Sequence, residues 1–267
     1  MSNGPSIGIL GGMGPHAGFD LAVKITNHTN ADHDHDHLPL VLFSKPERIP
    51  DRSTFLLDHS QPTPVPALLQ LALDLETAGA SVIGIPCNTA HSKAILQPLT
   101  EELRHAGSTA RIVNMIEETV RHIQETLPGV EKVGVLSTTA VYRLRLYGDA
   151  LQRAGLSPVV PDEKLQRTVV NPTIFDHDFG LKAKAHPVHE KARANLVLAI
   201  DRLKEDGADA IILGCTELPL AIPEESIDGI PMIDPTIVLA RALIRESYPH
   251  KLRPATGYAS VNGLPEG

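Results

Sequence analysis

Short apolar runs alternate along the chain with longer segments in which apolar residues recur every three or four positions. The short runs are typical of buried strands, and the longer spacing is typical of amphipathic helices. Because the two kinds of segment alternate, the pattern predicts an α/β fold with mostly parallel strands. The predicted strands are Ile7–Leu10, Leu40–Ser44, Ser81–Ile85, Arg111–Asn114, Lys132–Leu136, Ser157–Val160, Asp209–Gly214 and Gly229–Ile233.

Two of the intervening segments carry a clear helical pattern. Ala67–Ala78 ends before Gly79, and Ala192–Glu205 ends before Gly207. Glycine is favoured just after a helix because it readily adopts the left-handed conformation that closes the last turn. Both segments are therefore predicted to be helices.

The predicted strands form two sets of four whose sequences repeat each other. In chain order, the corresponding pairs are "SIGILGG" and "KVGVLST", "SVIGIPCNT" and "AIILGCTEL", and "IVNMIEETV" and "IPMIDPTIV". The separation of Gly8 from Cys87 nearly equals that of Gly134 from Cys215. We interpret the repeat as an internal duplication; chance similarity between βαβ units is the alternative. It predicts two similar lobes, each a four-stranded, mostly parallel sheet flanked by helices, related by an approximate two-fold axis with a cleft between them.

A chain of 267 residues is long enough for two lobes, each with its own core. We assign residues 1–118 and 226–250 to the first lobe and residues 119–225 to the second. Residues 251–267 are predicted to be a loose tail, because "PATGYASVNGLPEG" lacks apolar periodicity.

Composition argues against several classes of partner. Aromatic residues make up 3% of the chain and the net charge is −8, which disfavours base stacking and binding to nucleic acid or anionic membranes. No apolar run approaches the length of a membrane span, and the first residues do not resemble a signal peptide. We expect a cytoplasmic protein with reduced thiols.

The chain has only two cysteines, Cys87 and Cys215, and each follows the third predicted strand of its lobe. Sites in parallel sheets form at the carboxyl ends of strands, so facing lobes would place one thiol on either side of a bound molecule. Removing a proton from one face of a carbon and returning one to the other face inverts that carbon. A thiolate and a thiol suit this work, because a thiol pKa of about 8.5 is easily lowered by its surroundings.

Hydrogen-bond donors follow both cysteines: Asn88 and Thr89 after the first, and Thr216 after the second. They could hold a substrate carboxylate and stabilise charge that develops on it. The alternatives for the cysteines are packing in the core, a disulfide and a metal site. The duplicated setting argues against simple packing in the core. The expected reducing compartment argues against a disulfide, and the absence of a Cys-x-x-Cys spacing argues against a metal site.

At these residues the sequence resembles the cofactor-independent aspartate/glutamate racemase family, and most closely its aspartate racemase branch. The matching motifs, in chain order, are "IGILGGMGP", "IPDRS", "PCNTAH", "MIEET", "LGCTELPL" and "IDP". The resemblance implies a two-lobe α/β enzyme, often a homodimer, that racemises small acidic amino acids without pyridoxal phosphate or a metal. It implies that Cys87 and Cys215 are the acid and base. It also implies that Arg52 and Lys182, with Lys184 as a rival, bind the side-chain carboxylate.

Further candidates lie at the ends of the other predicted strands. The loop Gly11–Pro15 lacks the dinucleotide-binding spacing, and the resemblance makes it a site wall with Met13 as a contact. Thr138 and Thr139 follow the matching strand of the second lobe and are candidate substrate-binding residues. His91 and Glu217 lie close behind the cysteines in sequence. Each is a candidate proton partner or a structural polar residue.

Two segments depart from the family pattern. Lys45 in "SKP" adds a cation near the presumed carboxylate clamp, or it points to solvent. The run "DHDHDH", Asp32–His37, has metal-binding residue types, but its position before an apolar strand favours a solvated loop.

The sequence is also compatible with other functions. A relative could act on another small carboxylic acid, as a maleate isomerase, an arylmalonate decarboxylase or a hydantoin racemase does. A non-catalytic sensor of acidic amino acids is a third class, which the retention of both cysteines disfavours.

Overall fold

The computed structural model describes residues 5–58 and 60–254. Within these residues the strands are β1 (Ser6–Gly11), β2 (Leu40–Ser44), β3 (Ala80–Gly84), β4 (Arg111–Val113), β5 (Lys132–Ser137), β6 (Ser157–Val159), β7 (Ala210–Gly214), β8 (Ser226–Ile227) and β9 (Ile230–Ile233). The helices are α1 (Pro15–His28), α2 (Arg52–Leu57), α3 (Val65–Thr77), α4 (Lys93–His105), α5 (Met115–Thr126), α6 (Thr139–Arg143), α7 (Leu146–Arg153), α8 (Glu163–Leu165), α9 (Asn171–Phe175), α10 (Glu190–Glu205), α11 (Leu218–Ala221) and α12 (Pro235–Ser247).

The strands form two sheets that share one strand order. The first is β2-β1-β3-β4, and the second repeats it as β6-β5-β7-β9, with every neighbouring pair parallel. The predicted α/β fold of two similar halves is thereby confirmed. The second sheet also has a fifth strand, β8, which pairs antiparallel with β9. This two-residue strand is too short to produce a hydrophobic pattern, so the sequence prediction of four strands missed it.

The central strand of each sheet is covered by helices on both faces. On β1, Ile7 and Ile9 pack against α1 and α12, whereas Leu10 packs in the cluster that contains α3 and α4. All three side chains are fully buried. Burial on both faces explains why this strand reads as a continuous apolar run rather than as an alternating one.

The end of the described chain crosses between the two halves. Within the range 226–250, which we assigned to the first lobe, β8 and β9 extend the second sheet, where Ile211 of β7 pairs with Met232. That part of the assignment therefore needs correction, because backbone pairing joins β9 to β7. Helix α12 instead contacts α1 and β3 of the first half.

The predicted loose tail begins with an attached segment. Thr29 and Leu252 form an antiparallel bridge, and the amide of Asn30 donates to the carbonyl of Lys251 at 2.7 Å. The rest of the predicted tail, residues 255–267, lies outside the described residues. In the part of the chain that the structure describes, no helix combines the length and apolarity needed to cross a bilayer.

Candidate active site

One small cavity lies where β1, β3, β5 and β7 end. Among its lining residues are both cysteines, each 5% exposed. The full lining consists of Met13, Asp51, Arg52, Ser53, Cys87, Asn88, Thr89, Thr138, Lys182, Gly214, Cys215, Thr216 and Glu217. The strand ends of both halves thus bring the two thiols to one enclosed space, at the sheet edge where parallel α/β proteins bind ligands.

The free space within the cavity is about 20 Å³. A single water molecule needs on the order of 10–15 Å³, whereas ligand pockets usually measure roughly 300–1,000 Å³. The described conformation therefore has room for little more than water. A larger molecule can enter only if the lining residues move apart.

The glycine-rich turn after β1 supplies one wall. Gly12 has φ = 97°, a conformation that residues with a side chain rarely adopt. A Cβ atom at Gly12 would lie 3.1 Å from the backbone nitrogen of Pro46. The turn therefore requires glycine, and it carries Met13 to the cavity lining.

Cys215 belongs to a hydrogen-bonded group on the second half, in which Cys215, Thr216 and Glu217 are buried and the side chain of Lys182 is 28% exposed. Its Sγ donates to Oε2 of Glu217 at 3.0 Å, and Oγ1 of Thr216 donates to the same oxygen at 3.2 Å. Nζ of Lys182 donates to the other carboxylate oxygen at 2.8 Å. Glu217 thus joins the thiol directly to the cation, and Lys182 is already paired in the closed cavity.

Charges within this group shift its pKa values. Burial and the adjacent Glu217 carboxylate raise the pKa of Cys215 well above its ordinary value. Burial also opposes ionisation of Glu217, but the charge of Lys182 and three side-chain hydrogen bonds outweigh it and lower the pKa of Glu217. Burial disfavours the charge on Lys182, yet Glu217 outweighs that effect and raises the pKa of Lys182. The group therefore rests as a thiol beside a carboxylate–ammonium pair.

Arg52 approaches from the first half with an incomplete set of partners. It is the first residue of α2, whose N-cap Asp51 accepts from the amide of Thr54 at 2.6 Å. Nη1 of Arg52 donates to the carbonyl of Pro50 at 3.3 Å, and its buried Nε has no partner. An unpaired buried guanidinium N–H is costly, so this group can gain a hydrogen bond from a carboxylate that enters the cavity.

The amide of Asn88 carries a second unpaired donor. Asn88 begins the short 3-10 turn Asn88–His91 directly after Cys87, and it is 3% exposed. Its Oδ1 accepts from the hydroxyl of Tyr147 at 2.5 Å, while its buried Nδ2 has no partner. Tyr147, Asp51 and Ser53 were not identified from the sequence. Asp51 and Ser53 flank Arg52 in the motif "IPDRS", which was the available signal, whereas Tyr147 gave none.

Some predicted site residues lie outside the cavity lining. Thr139 starts α6, and its hydroxyl donates to Oδ1 of Asn171 at 2.7 Å. His91 turns away to donate from Nε2 to the carbonyl of Ile85 at 3.0 Å. Lys184 is exposed. His91 therefore lies outside the cavity lining, with Nε2 engaged by the backbone and its buried Nδ1 without a hydrogen-bond partner among the described residues.

Lys45 also lies outside the cavity lining. Its Nζ lies 3.4 Å from Oδ2 of Asp74 and 5.6 Å from the ring centre of Phe43. The ion pair with Asp74 thus gives this cation a partner outside the cavity lining.

The Asp32–His37 run forms an exposed segment around the single 3-10 turn Asp34–Asp36. His33 and His35 stack with ring centres 5.4 Å apart, and the backbone carbonyl of Asp36 accepts from Lys251 at 3.0 Å. Across residues 5–58 and 60–254, no group of three or more histidine, cysteine, aspartate or glutamate side chains is arranged to hold a metal ion.

Comparison with known proteins places this arrangement in a family. The family model for Asp/Glu/hydantoin racemases matches residues 10–243. The broad-specificity amino-acid racemase RacX of Bacillus subtilis is 28% identical over 242 residues, covering 89% of this chain and 96% of that protein. The structure of Picrophilus torridus aspartate racemase superposes with a TM-score of 0.73 at 30% identity, covering 91% of this chain and 94% of that one. Glutamate racemase from Francisella tularensis, solved with D-glutamate, shares the fold with a TM-score of 0.61 at 17% identity, covering 96% of this chain and 85% of that one. The chain belongs to the Asp/Glu/hydantoin racemase family.

Proposed function

We propose that this protein is an amino-acid racemase that interconverts L- and D-aspartate, with Cys87 and Cys215 exchanging the Cα proton. The observation that carries the proposal is that two thiols, from corresponding strand ends of the two halves, line one cavity. The aspartate racemase of Picrophilus torridus, at 30% identity, supports the choice of substrate.

The reaction needs one thiolate and one thiol on opposite faces of the substrate. The thiolate removes the proton from Cα, and the electron pair left behind is shared with the α-carboxylate. The opposite thiol then donates its proton to the other face, which yields the enantiomer and exchanges the roles of the two sulfurs. A positioned acid or base contributes roughly 10²–10⁴-fold to such a step.

Glu217 assigns the starting role of Cys215. Because burial and the carboxylate raise the pKa of Cys215, this residue starts as the proton donor. The enantiomer that needs Cys215 as the base requires prior loss of its proton.

The donors near the cysteines hold the two carboxylates of the substrate. The unpaired Nδ2 of Asn88, with Thr89, would bind the α-carboxylate and stabilise the charge that develops on it. Thr216 would add its backbone amide, because its hydroxyl already donates to Glu217. The unpaired Nε of Arg52 would bind the side-chain carboxylate. Lys182 contributes less than the sequence analysis predicted, because Glu217 already holds its charge.

A second candidate is a racemase with a wider range of substrates. Two cations, Arg52 and Lys182, and two carboxylates, Asp51 and Glu217, line the cavity. Their formal charges balance, so the site does not select for a dianionic substrate by net charge alone. The relative RacX, named for broad specificity, favours the same alternative.

Incubation in D₂O tests the proposed activity directly. L-Aspartate, L-glutamate and L-alanine are each incubated with the protein, followed by NMR of the Cα proton and chiral chromatography. Racemisation predicts that deuterium enters Cα and that the D form appears, fastest for aspartate. If all three amino acids keep their Cα protons, the sensor and the enzymes on other carboxylic acids become the better hypotheses.

Substitution of Arg52 separates the two substrate ranges. Arg52→Ala is expected to lower kcat/KM for aspartate roughly 10–100-fold, because a charge-assisted hydrogen bond is lost, and to leave alanine nearly unchanged. Arg48→Ala is the matched control, since Arg48 lies four residues earlier and its side chain is 62% exposed. An equal loss for aspartate and alanine would instead favour the broad-specificity alternative.

A further inference from the structure

Tyr147 contacts both cysteine-bearing strand ends from a position outside the cavity lining. It lies on α7 of the second half and is 1% exposed. Its hydroxyl donates across to Oδ1 of Asn88, the residue after Cys87, at 2.5 Å. Its ring packs beside Gly214, the residue before Cys215, where a Cβ atom would lie 3.1 Å from Cε2 of Tyr147.

The hydroxyl of Tyr147 engages the oxygen end of the Asn88 amide. An asparagine side chain presents an oxygen acceptor at one end and an NH₂ donor at the other. With Oδ1 engaged by the phenol, the buried Nδ2 is the end without a partner. A reversed amide would offer an oxygen to the cavity, and that oxygen would repel a carboxylate.

We propose that Tyr147 is a positioning residue of this site, whose hydroxyl holds the Asn88 amide so that Nδ2 donates to the α-carboxylate of the substrate. This inference rests on the proposed racemase function and extends it to a residue that the substrate does not touch. The physical reason is preorganisation, because a donor fixed before the substrate binds needs no reorientation when the α-carboxylate arrives.

Burial keeps Tyr147 in the required protonation state. Desolvation raises the pKa of Tyr147 far above its ordinary value, so the phenol stays a donor throughout the range in which the thiols react. The phenol therefore keeps the proton that it donates to Asn88 throughout that range.

A double-mutant cycle tests the coupling between the two residues. Tyr147→Phe keeps the ring and removes the hydroxyl, whereas Asn88→Ala removes the amide itself. Each single variant is expected to lower kcat/KM for L-aspartate about tenfold, mainly through KM, because a hydrogen bond to a charged carboxylate is lost. The double variant is expected to be no worse than Asn88→Ala, because the hydroxyl acts only through the amide.

Tyr142→Phe is the matched control, since Tyr142 lies on the neighbouring helix α6 and lines a different cavity. Its KM should equal that of the wild type. Tyr147→Phe leaves Oδ1 of Asn88 unpaired and could therefore fold poorly. In that case Asn88→Ala is compared with the double variant, because neither contains the unpaired oxygen. Equal kcat/KM values in these two variants still support the positioning role.

The outcomes separate this inference from the proposed function. If the wild type racemises aspartate but Tyr147→Phe keeps the wild-type KM, the positioning role is overturned and the racemase proposal stands. If the effects of the two substitutions multiply in the double variant, Tyr147 acts as general packing and the inference is also overturned. If the wild type exchanges no Cα proton, both proposals fall together.

Discussion

At the residue scale, the Glu217 carboxylate influences Cys215 through its charge and through a hydrogen bond of 3.0 Å. Burial is the larger cause of the raised pKa of Cys215, but only the carboxylate can be removed without opening the core. Replacing it with an amide of the same shape therefore isolates the electrostatic part.

Glu217→Gln is expected to lower the pKa of Cys215. The negative charge that disfavours the thiolate is gone, and Lys182, which favours the thiolate, loses its partner. In a Cys87→Ser background, the rate of alkylation by iodoacetamide against pH should rise at a lower pH than in the parent. Glu225→Gln, at an exposed site, is the control and should not change the pH at which alkylation accelerates. An unchanged pH profile in Glu217→Gln would contradict a role of the carboxylate charge in raising the pKa of Cys215.

His91 predicts a pH dependence of stability. Burial lowers its pKa from 6.5 to about 4. Between these pH values His91 is protonated in the unfolded chain but stays neutral in the folded protein. The free energy of unfolding therefore falls as the pH drops from about 6.5 to about 4. The loss attributable to His91 is at most about 3 kcal/mol, and above pH 6.5 His91 contributes no pH dependence.

His91→Gln should remove this component, because glutamine can still donate to the carbonyl of Ile85 but does not titrate. The measurement is the free energy of unfolding in denaturant at pH 4.5 and pH 7. The difference between the two pH values should be smaller in His91→Gln than in the wild type. His177→Gln, whose site is 97% exposed, should keep the wild-type difference, and an unchanged difference in His91→Gln would contradict the assignment.

At the scale of elements, a change in the turn after β1 should affect both the stability of the protein and the shape of the cavity. Gly12 and Gly107 both have positive φ, at 97° and 74°. A Cβ atom at Gly12 would crowd backbone atoms of Lys45 and Pro46, whereas no atom lies within 4 Å of the corresponding position at Gly107. The two glycines thus share a conformational requirement and differ in crowding.

Gly107→Ala is expected to destabilise the protein by about 1–2 kcal/mol, which is the cost of the left-handed conformation alone. Gly12→Ala should cost more and should also reduce racemisation, because the displaced turn carries Met13 to the cavity. Thermal unfolding and the chiral assay on both variants check this. If both substitutions lowered the free energy of unfolding equally, the crowding at Gly12 would add no cost and the prediction would be wrong.

Most elements could be predicted from the sequence because their signals are local. The strand Leu40–Ser44 has the predicted bounds, and the helix predicted at Ala192–Glu205 begins two residues earlier, at Glu190. Buried apolar runs define such strands, and a glycine marks the end of such helices. The antiparallel strand β8 was missed because pairing with β9, rather than any pattern of its own, makes it a strand.

At the scale of the whole molecule, the repeat predicted which strand ends meet. The matching orders β2-β1-β3-β4 and β6-β5-β7-β9 bring Cys87 and Cys215 to one cavity. The duplication is visible in the sequence, so this juxtaposition could be anticipated without coordinates.

Contacts between segments distant in sequence could not be anticipated in the same way. The pairing of Lys182 with Glu217 and of Tyr147 with Asn88 joins residues far apart in the chain. Neither pair follows a spacing or a composition that marks it. The sequence therefore indicated some of the groups that line the cavity, among them both cysteines, whereas the structure showed which of those groups are already engaged.

The central claim is that both thiols act on one carbon, and the most direct test follows each thiol separately. L-Aspartate and D-aspartate are each incubated in D₂O with the wild type, Cys87→Ser and Cys215→Ser, after circular dichroism has shown that all three are folded. The wild type should convert either enantiomer into the other with one deuterium at Cα. Each serine variant should racemise at least roughly 10²-fold more slowly in both directions, because each inversion uses both sulfurs. Racemisation by either variant at a rate near that of the wild type would contradict the two-thiol account.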